Sequence, residues 1–384
     1  MGKYYEIGGY GRDIAPVAIG SGTPKLITIV GMTGPDQTAA MEAQKTRTAY
    51  KYGASIIADV STEGHIADFH RTIMDAVPMP LSTVPFYEIR QRAIQRDLWP
   101  GGISKGFVLD VIAEQAERGV GCMTLHATLT KDLSRQVLQR DRTIKLQARG
   151  GGFIYEYIQK TDKENPLWEY LDDILPLMSK YGVAMSLGSS FRSGTVSDNY
   201  DALCLQEQLL HSQLCARAET MGVNPMVEIG SHHRYNLIGP YVKCMKRFFN
   251  GAPLRLLGPL GTEKGLGYDH ITAAICAVPA IEAGLDIITC VTRSEHIGLP
   301  DENDIRESLV AIRIAIELSL QEDTPSEKDD ISFQCGLGFG SFKPQDVIDL
   351  DRALELKRLK NNGSLEGCSM CNDSCRMVLD KERS

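Results

Sequence analysis

The chain has 384 residues, 43% hydrophobic and 23% charged, with a net charge of -8. That suits one large α/β domain with a small appendage, and the acidic balance excludes a broad nucleic-acid footprint, which needs a basic surface. No apolar run of about 18 residues is present, so no membrane span is expected, and the opening MGKYYEIGGYGRDI lacks the apolar stretch of a secretory signal.

Residues 1–24 read as an N-terminal extension. From residue 25 onward, short apolar runs alternate with helical patterns. The predicted strands are 26–32, 55–60, 81–87, 121–127, 143–148, 184–188, 226–230, 254–257 and 286–291. They are continuous rather than alternating, as expected for strands covered on both faces. Predicted helices include 112–118, 167–180, 202–221 and 271–283. Strand and helix in alternation mean a parallel sheet, and a (β/α)8 TIM-type barrel over 25–324 fits the length. Nine candidates exceed eight, and 143–148 is the one to demote, because little chain separates it from the strand before. Residues 301–324 form one long predicted helix. The segment 325–384 reads as a C-terminal helical and cluster-binding tail, with a helix at 344–359 and a joint at Asn361-Asn-Gly-Ser364.

Polar and glycine residues follow strand after strand: Asp59 to Thr62, His126, Arg149 to Gly152, Ser189 to Arg192, Glu228 to His233, and Glu295-His296. One such cluster is ordinary turn chemistry. Six at the same edge of a (β/α)8 barrel mark the C-terminal face, where active sites are built.

Ten cysteines occur, seven of them scattered, mostly in apolar runs where a thiol acts as a small hydrophobe. That usage implies a reducing, cytoplasmic setting. The other three form Cys368-Ser-Met-Cys371-Asn-Asp-Ser-Cys375. Three thiolates can bind three irons of a [4Fe–4S] cubane and leave the fourth open to S-adenosylmethionine (SAM). A structural zinc site and unligated thiols are the alternatives; zinc ordinarily wants a fourth Cys or His nearby. His232 and His296 each follow a predicted strand, so both can face one spot and hold a divalent metal, zinc or iron; the alternative is two surface histidines. Arg149-Gly-Gly-Gly152 and Ser189-Ser-Phe-Arg192-Ser-Gly194 are candidate anion cradles, with amides and a bidentate guanidinium for a phosphorylated small molecule.

These motifs sit within a wider resemblance. DVSTEG (59–64), STVPFYE (82–88), AERGVGCMTLHA (116–127), ARGG (148–151), ENPLWEY (164–170), SLGSSFRSG (186–194), LGPLGTEKGLGYDHITAAI (257–275) and VTRSEHIGLP (291–300) resemble the phosphomethylpyrimidine (thiamin pyrimidine) synthase family of radical SAM enzymes and its 5-hydroxybenzimidazole synthase paralogues. The resemblance implies a radical rearrangement of 5-aminoimidazole ribotide with SAM and the cluster. It implies metal ligands His232 and His296, and substrate contacts from Tyr87, His126, Ala148, Arg149, Gly150, Ser189, Arg192, Glu228 and Arg255, with Glu228 and His126 as the catalytic pair. It also implies a homodimer, or a pairing with a paralogous subunit.

The chain departs from the pyrimidine synthase pattern at several places. Ser189-Ser-Phe-Arg192 replaces Asp-Gly-Leu-Arg. Glu228-Ile-Gly-Ser-His232-His-Arg234 replaces Glu-Gly-Pro-Gly-His-Val-Pro. Arg255 stands for a Tyr and Val30 for an Asn, and the spacing before Cys375 is shorter. Metal and cluster groups persist while substrate groups vary. The expectation drawn from this is a lyase that forms 5-hydroxybenzimidazole for cobamide biosynthesis. Phosphomethylpyrimidine synthesis for thiamin is the alternative, and further rivals are a non-catalytic cluster-bearing partner subunit and a metal-dependent barrel hydrolase or aldolase.

Overall fold

The computed structural model describes residues 2–20, 22–320 and 347–365. The chain divides into two units, Met1–Ser319 and Leu320–Ser384. The first begins with an antiparallel hairpin, β1 (Tyr5–Ile7) and β2 (Val17–Ile19), in a stretch where the sequence reading expected only an extension. Eight strands then pair in parallel and close on themselves: β3 (Lys25–Val30), β4 (Ile56–Asp59), β5 (Leu81–Thr83), β6 (Cys122–Leu125), β7 (Ala184–Leu187), β8 (Pro225–Ile229), β9 (Leu254–Leu257) and β10 (Ile287–Thr289). The ring runs in chain order and β10 returns to β3, the closed (β/α)8 barrel that the alternating pattern predicts.

Successive strand side chains face opposite ways, so each strand feeds two cores. Leu26, Ile57, Met123, Met185, Val227 and Leu256 face the surrounding helices and belong to the large outer core. Ile27, Ile56, Cys122, Ala184, Met226 and Ile287 face inward near the strand starts. Ile7 and Ile19 of the hairpin, both fully buried, pack among these inward residues. Burying each isoleucine is worth roughly 1.5–3 kcal/mol. The N-terminal hairpin therefore plugs the lower end of the barrel and leaves the C-terminal mouth as the open face.

Three local departures shape that mouth. The 143–148 run is not a strand: the Asp198 carboxylate accepts the amides of Thr143 (2.8 Å) and Ile144 (2.9 Å), which a neighbouring strand would otherwise need. The 81–87 run stops at Thr83, because Pro85 opens the helix Pro85–Gln95, and Tyr87 sits in its first turn. The glycine run after Arg149 is not a turn but the first turn of the helix Arg149–Thr161. A Cβ at Gly151 would lie 2.9 Å from the Ser190 Cβ, so a small residue is needed for this helix to start against the loop after β7. The predicted helix 167–180 is two, Pro166–Glu169 and Leu171–Lys180, while 202–221, 271–283 and the described part of 301–324 appear as Ala202–Thr220, Asp269–Glu282 and Glu302–Ser319. No described helix is long and apolar enough to cross a membrane. In the second unit the described residues form the helix Leu350–Lys360, capped by Asp349, whose side chain accepts the Arg352 amide.

Candidate active site

A cavity of about 310 Å³ opens at the strand C-termini. Its walls come from every side of the ring: Asp59 at the end of β4, Ser82 and Thr83 of β5, Thr124 and His126 of β6 and its loop, Arg192 after β7, Glu228 of β8, Arg255 of β9 and Glu295 after β10. Tyr87 and Arg149 complete it. Six of the nine substrate contacts implied by the resemblance, Tyr87, His126, Arg149, Arg192, Glu228 and Arg255, thus meet in one cavity. A smaller cavity of about 170 Å³ shares Ile29, Val60, Arg149 and Glu295 with it and reaches the buried Glu42–Lys45 ion pair, 2.7 Å.

The remaining named substrate residues shape the wall without lining it. Gly150 packs on the His126 ring, and Ala148, almost fully buried, is the residue before the helix Arg149–Thr161. Ser189 turns away: its hydroxyl donates to Glu207 Oε2 at 2.5 Å, while the amides of Ser190 and Phe191 donate to the same carboxylate at 2.7 and 3.0 Å. The amides of this loop, expected to hold an anion, are therefore already taken by the Glu207 carboxyl of the helix Ala202–Thr220, whose pKa burial raises.

Arg192 donates to Glu228 Oε1 and to the Ser189 carbonyl, each at 2.9 Å, so it is oriented from two directions and does not pair with the nearby Asp198. His126 is held between Gly150 and Gly188, with its Nδ1 3.3 Å from Ser190 Oγ. Burial, with the Arg192, His211 and Arg255 charges adding, pushes its pKa down to about 3. It is a neutral imidazole at physiological pH. Burial pushes the Tyr87 phenol up to about 12 against the opposing pull of Arg149 and Arg192, so Tyr87 remains a hydrogen-bond donor. Asp59 is committed inside the wall, accepting from Ser61 and pairing with His70 at 2.8 Å.

His232 and His296 come together beside this cavity, with ring centroids 6.4 Å apart. Each is braced through Nδ1, His232 by Glu263 at 3.3 Å and His296 by Asp269 at 3.0 Å. That leaves both Nε2 atoms without a partner among the described residues. A carboxylate behind each imidazole is the support that metal-binding histidines ordinarily have, so the pair fits a divalent metal. Among the described residues no group of three or more His, Cys, Asp or Glu is placed to hold a metal, and other ligands would have to complete the shell. Cys368, Cys371 and Cys375 lie outside the described residues.

Sequence reasoning missed the supporting residues. Glu263 and Asp269 sit inside LGPLGTEKGLGYDHITAAI, where the spacing of His-bracing carboxylates has no periodic signature. Glu207 lies mid-helix and looks like a solvated surface glutamate; nothing in its neighbours marks it as buried.

The chain matches the family described as "Radical SAM ThiC family" over residues 9–382. It is 33% identical over 377 residues to a phosphomethylpyrimidine synthase of Ignicoccus hospitalis, covering 96% of this chain and 86% of that protein. It is 32% identical over 376 residues to the enzyme of the same name from Thermoanaerobacter sp. strain X514, covering 97% and 87%. Among solved structures, a dihydropteroate synthase of Xanthomonas albilineans aligns over 80% of this chain and 96% of that one, with a TM-score of 0.48 and 10% identity. With a match that spans nearly the whole sequence, the chain belongs to the radical SAM ThiC family, enzymes whose chemistry takes a [4Fe–4S] cluster and SAM.

Proposed function

We propose that this enzyme binds 5-aminoimidazole ribotide or a close derivative in the barrel-mouth cavity and rearranges it to a phosphorylated pyrimidine. The relatives are named phosphomethylpyrimidine synthases, which supports pyrimidine formation over the 5-hydroxybenzimidazole outcome expected from the substituted site residues. The observation that carries the reading is the convergence of Tyr87, His126, Arg149, Arg192 and Glu228 on one cavity.

When bound, the cluster on Cys368, Cys371 and Cys375 together with SAM supplies one-electron chemistry that side chains lack. The chain's own residues bind and orient. Arg149 and Arg192 offer guanidinium donors to a phosphate. Glu228 fixes the Arg192 head group through their 2.9 Å ion pair. Tyr87 donates from a phenol that stays protonated, and His126 offers a neutral imidazole that adds no charge to the pocket. His232 and His296 hold a divalent metal, zinc or iron, at the edge of the site. The assembly is a homodimer working in the cytoplasm.

The test is anaerobic reconstitution, followed by incubation with SAM, dithionite and 5-aminoimidazole ribotide and mass spectrometry of the products. Hydroxymethylpyrimidine phosphate supports the reading. 5-Hydroxybenzimidazole would transfer the chain to the paralogous activity, and 5′-deoxyadenosine with no ribotide-derived product would point to another substrate.

A further inference from the structure

Arg255 lies on β9, in register with Glu228 of β8, and is 4% exposed. Its guanidinium crosses the barrel interior. Nε donates to Thr289 Oγ1 at 2.8 Å, and Nη1 to Thr124 Oγ1 at 3.2 Å and Ser186 Oγ at 3.5 Å. All three partners are neutral hydroxyls, drawn from β10, β6 and β7. No carboxylate lies within ion-pair distance of it among the described residues. Of the three carboxylates in the cavity wall, Glu228 is held by Arg192, Asp59 by His70 and Ser61, and Glu295 makes no ion pair with Arg255. Nη2 has no partner among the described residues, and Arg255 lines the cavity.

A guanidinium does not deprotonate in a protein, and a buried charge without a counter-charge is strongly disfavoured unless something compensates it. The hydroxyls steer the side chain but do not neutralise it. We infer that Arg255 receives an anionic group of the substrate at the cavity floor. This inference rests on the proposed ribotide reading: with the phosphate on Arg149 and Arg192 at the mouth, the group that reaches Arg255 is carried by the ring end, and the planar, forked donor suits a carboxylate. The substrate class is thus an aminoimidazole ribotide bearing a ring carboxylate, and Arg255 is the residue that selects it.

The experiment titrates 5-aminoimidazole ribotide and its 4-carboxy derivative into the full-length protein by calorimetry, in the wild type and in Arg255→Met and Arg255→Tyr. In the wild type the carboxylated ribotide should bind about 10- to 150-fold more tightly, the range expected for a charge-assisted hydrogen bond, and the preference should vanish in both variants. Equal affinities in the wild type, or a preference that survives in folded Arg255→Met, overturns the inference. A purely structural arginine would change stability but not the ratio of two ligands. Should both variants fail to fold, Arg255→Lys keeps the charge and loses the fork: a reduced preference supports the inference and an unchanged one overturns it. If neither ribotide binds the wild type, the ribotide reading fails by itself, and acetate decides the fate of Arg255. Thermal stabilisation by sodium acetate over sodium chloride at equal ionic strength, absent in the Arg255 variant, supports an anion site there, and no such difference overturns it.

Discussion

Gly150 lies so close to His126 that a Cβ built on it would sit 2.2 Å from the imidazole Cδ2 and 2.5 Å from Nε2. The helix Arg149–Thr161 can begin at the cavity wall only because residue 150 has no side chain. Gly150→Ala must push a fully enclosed ring or the helix itself, and should destabilise the protein by about 1–3 kcal/mol. Gly152, two residues on, has open space around its would-be Cβ, so Gly152→Ala should be stabilising by about 0.4–1 kcal/mol. Guanidinium unfolding midpoints of the two variants must move in opposite directions.

Acid should weaken the fold through its buried histidines. Burial lowers His126 to about 3, and His211 and His233 to about 4. In each case the folded protein resists a proton that the unfolded chain accepts near 6.5. The stability these rings contribute is therefore complete above pH about 6.5 and declines as pH falls toward 4. Each ring that stays neutral costs about 1.4 kcal/mol per pH unit in that window. Unfolding measured from pH 8 to pH 5 should show this slope, and His211→Asn should make it shallower. Identical slopes would remove His211 from the account.

The braced pair His232 and His296 predicts a metal whose retention depends on residues that never touch it. His296→Ala should release one divalent ion while the cluster iron stays. Glu263→Gln and Asp269→Asn should weaken metal affinity about 10- to 100-fold, read by dialysis against a chelator and elemental analysis. Full metal retention in His296→Ala would refute the shared site.

Cys368, Cys371 and Cys375 predict an oxygen-sensitive cluster with one open iron. Changing any one of them to Ala should abolish reductive SAM cleavage in the reconstituted enzyme. A variant that forms 5′-deoxyadenosine at the wild-type rate would exclude that cysteine from the cluster.

The barrel was readable because its strands are buried on both faces, so 26–32, 55–60 and 184–188 stand out as apolar runs of the right length. The 143–148 run, TIKLQA, carries Lys145 and Gln147 between its apolar residues, and Asp198, 55 residues beyond Thr143, takes its first amides away from a sheet. The hairpin that plugs the barrel escaped notice because Ile7 stands among polar and glycine residues, Ile19 ends a short run interrupted by Pro16, and three-residue strands give no period. At the site, residues at or just past strand ends were legible: His126 and Arg192 follow β6 and β7, and Glu228 is the next-to-last residue of β8, whereas Arg255, near the start of β9, was named through the resemblance alone. Tyr87 and Arg149 reach it from helix starts. Ser189 illustrates the limit: its place in the loop after β7 is right for a ligand, but its direction is set by Glu207, whose burial depends on the packing of a whole helix.

Arg192 is the group on which phosphate binding turns. A loop arginine near Asp198 could have been a surface partner of that carboxylate, but Asp198 holds the Thr143 and Ile144 amides, and Arg192 is aimed into the cavity by Glu228 and the Ser189 carbonyl. Arg192→Ala removes a charge-assisted hydrogen bond worth about 1.5–3 kcal/mol, so 5-aminoimidazole ribotide should bind about 10- to 150-fold more weakly. The variant also leaves Glu228, 4% exposed, without its cation. A buried carboxylate left without its counter-charge is costly, so Arg192→Ala should also lower the stability of the fold. Arg192→Lys keeps a cation for Glu228 but cannot fork to two acceptors; it should restore stability while recovering only part of the affinity. Ribotide titration and thermal unfolding of the three proteins test both claims together, and unchanged affinity in Arg192→Ala would remove Arg192 from the phosphate site.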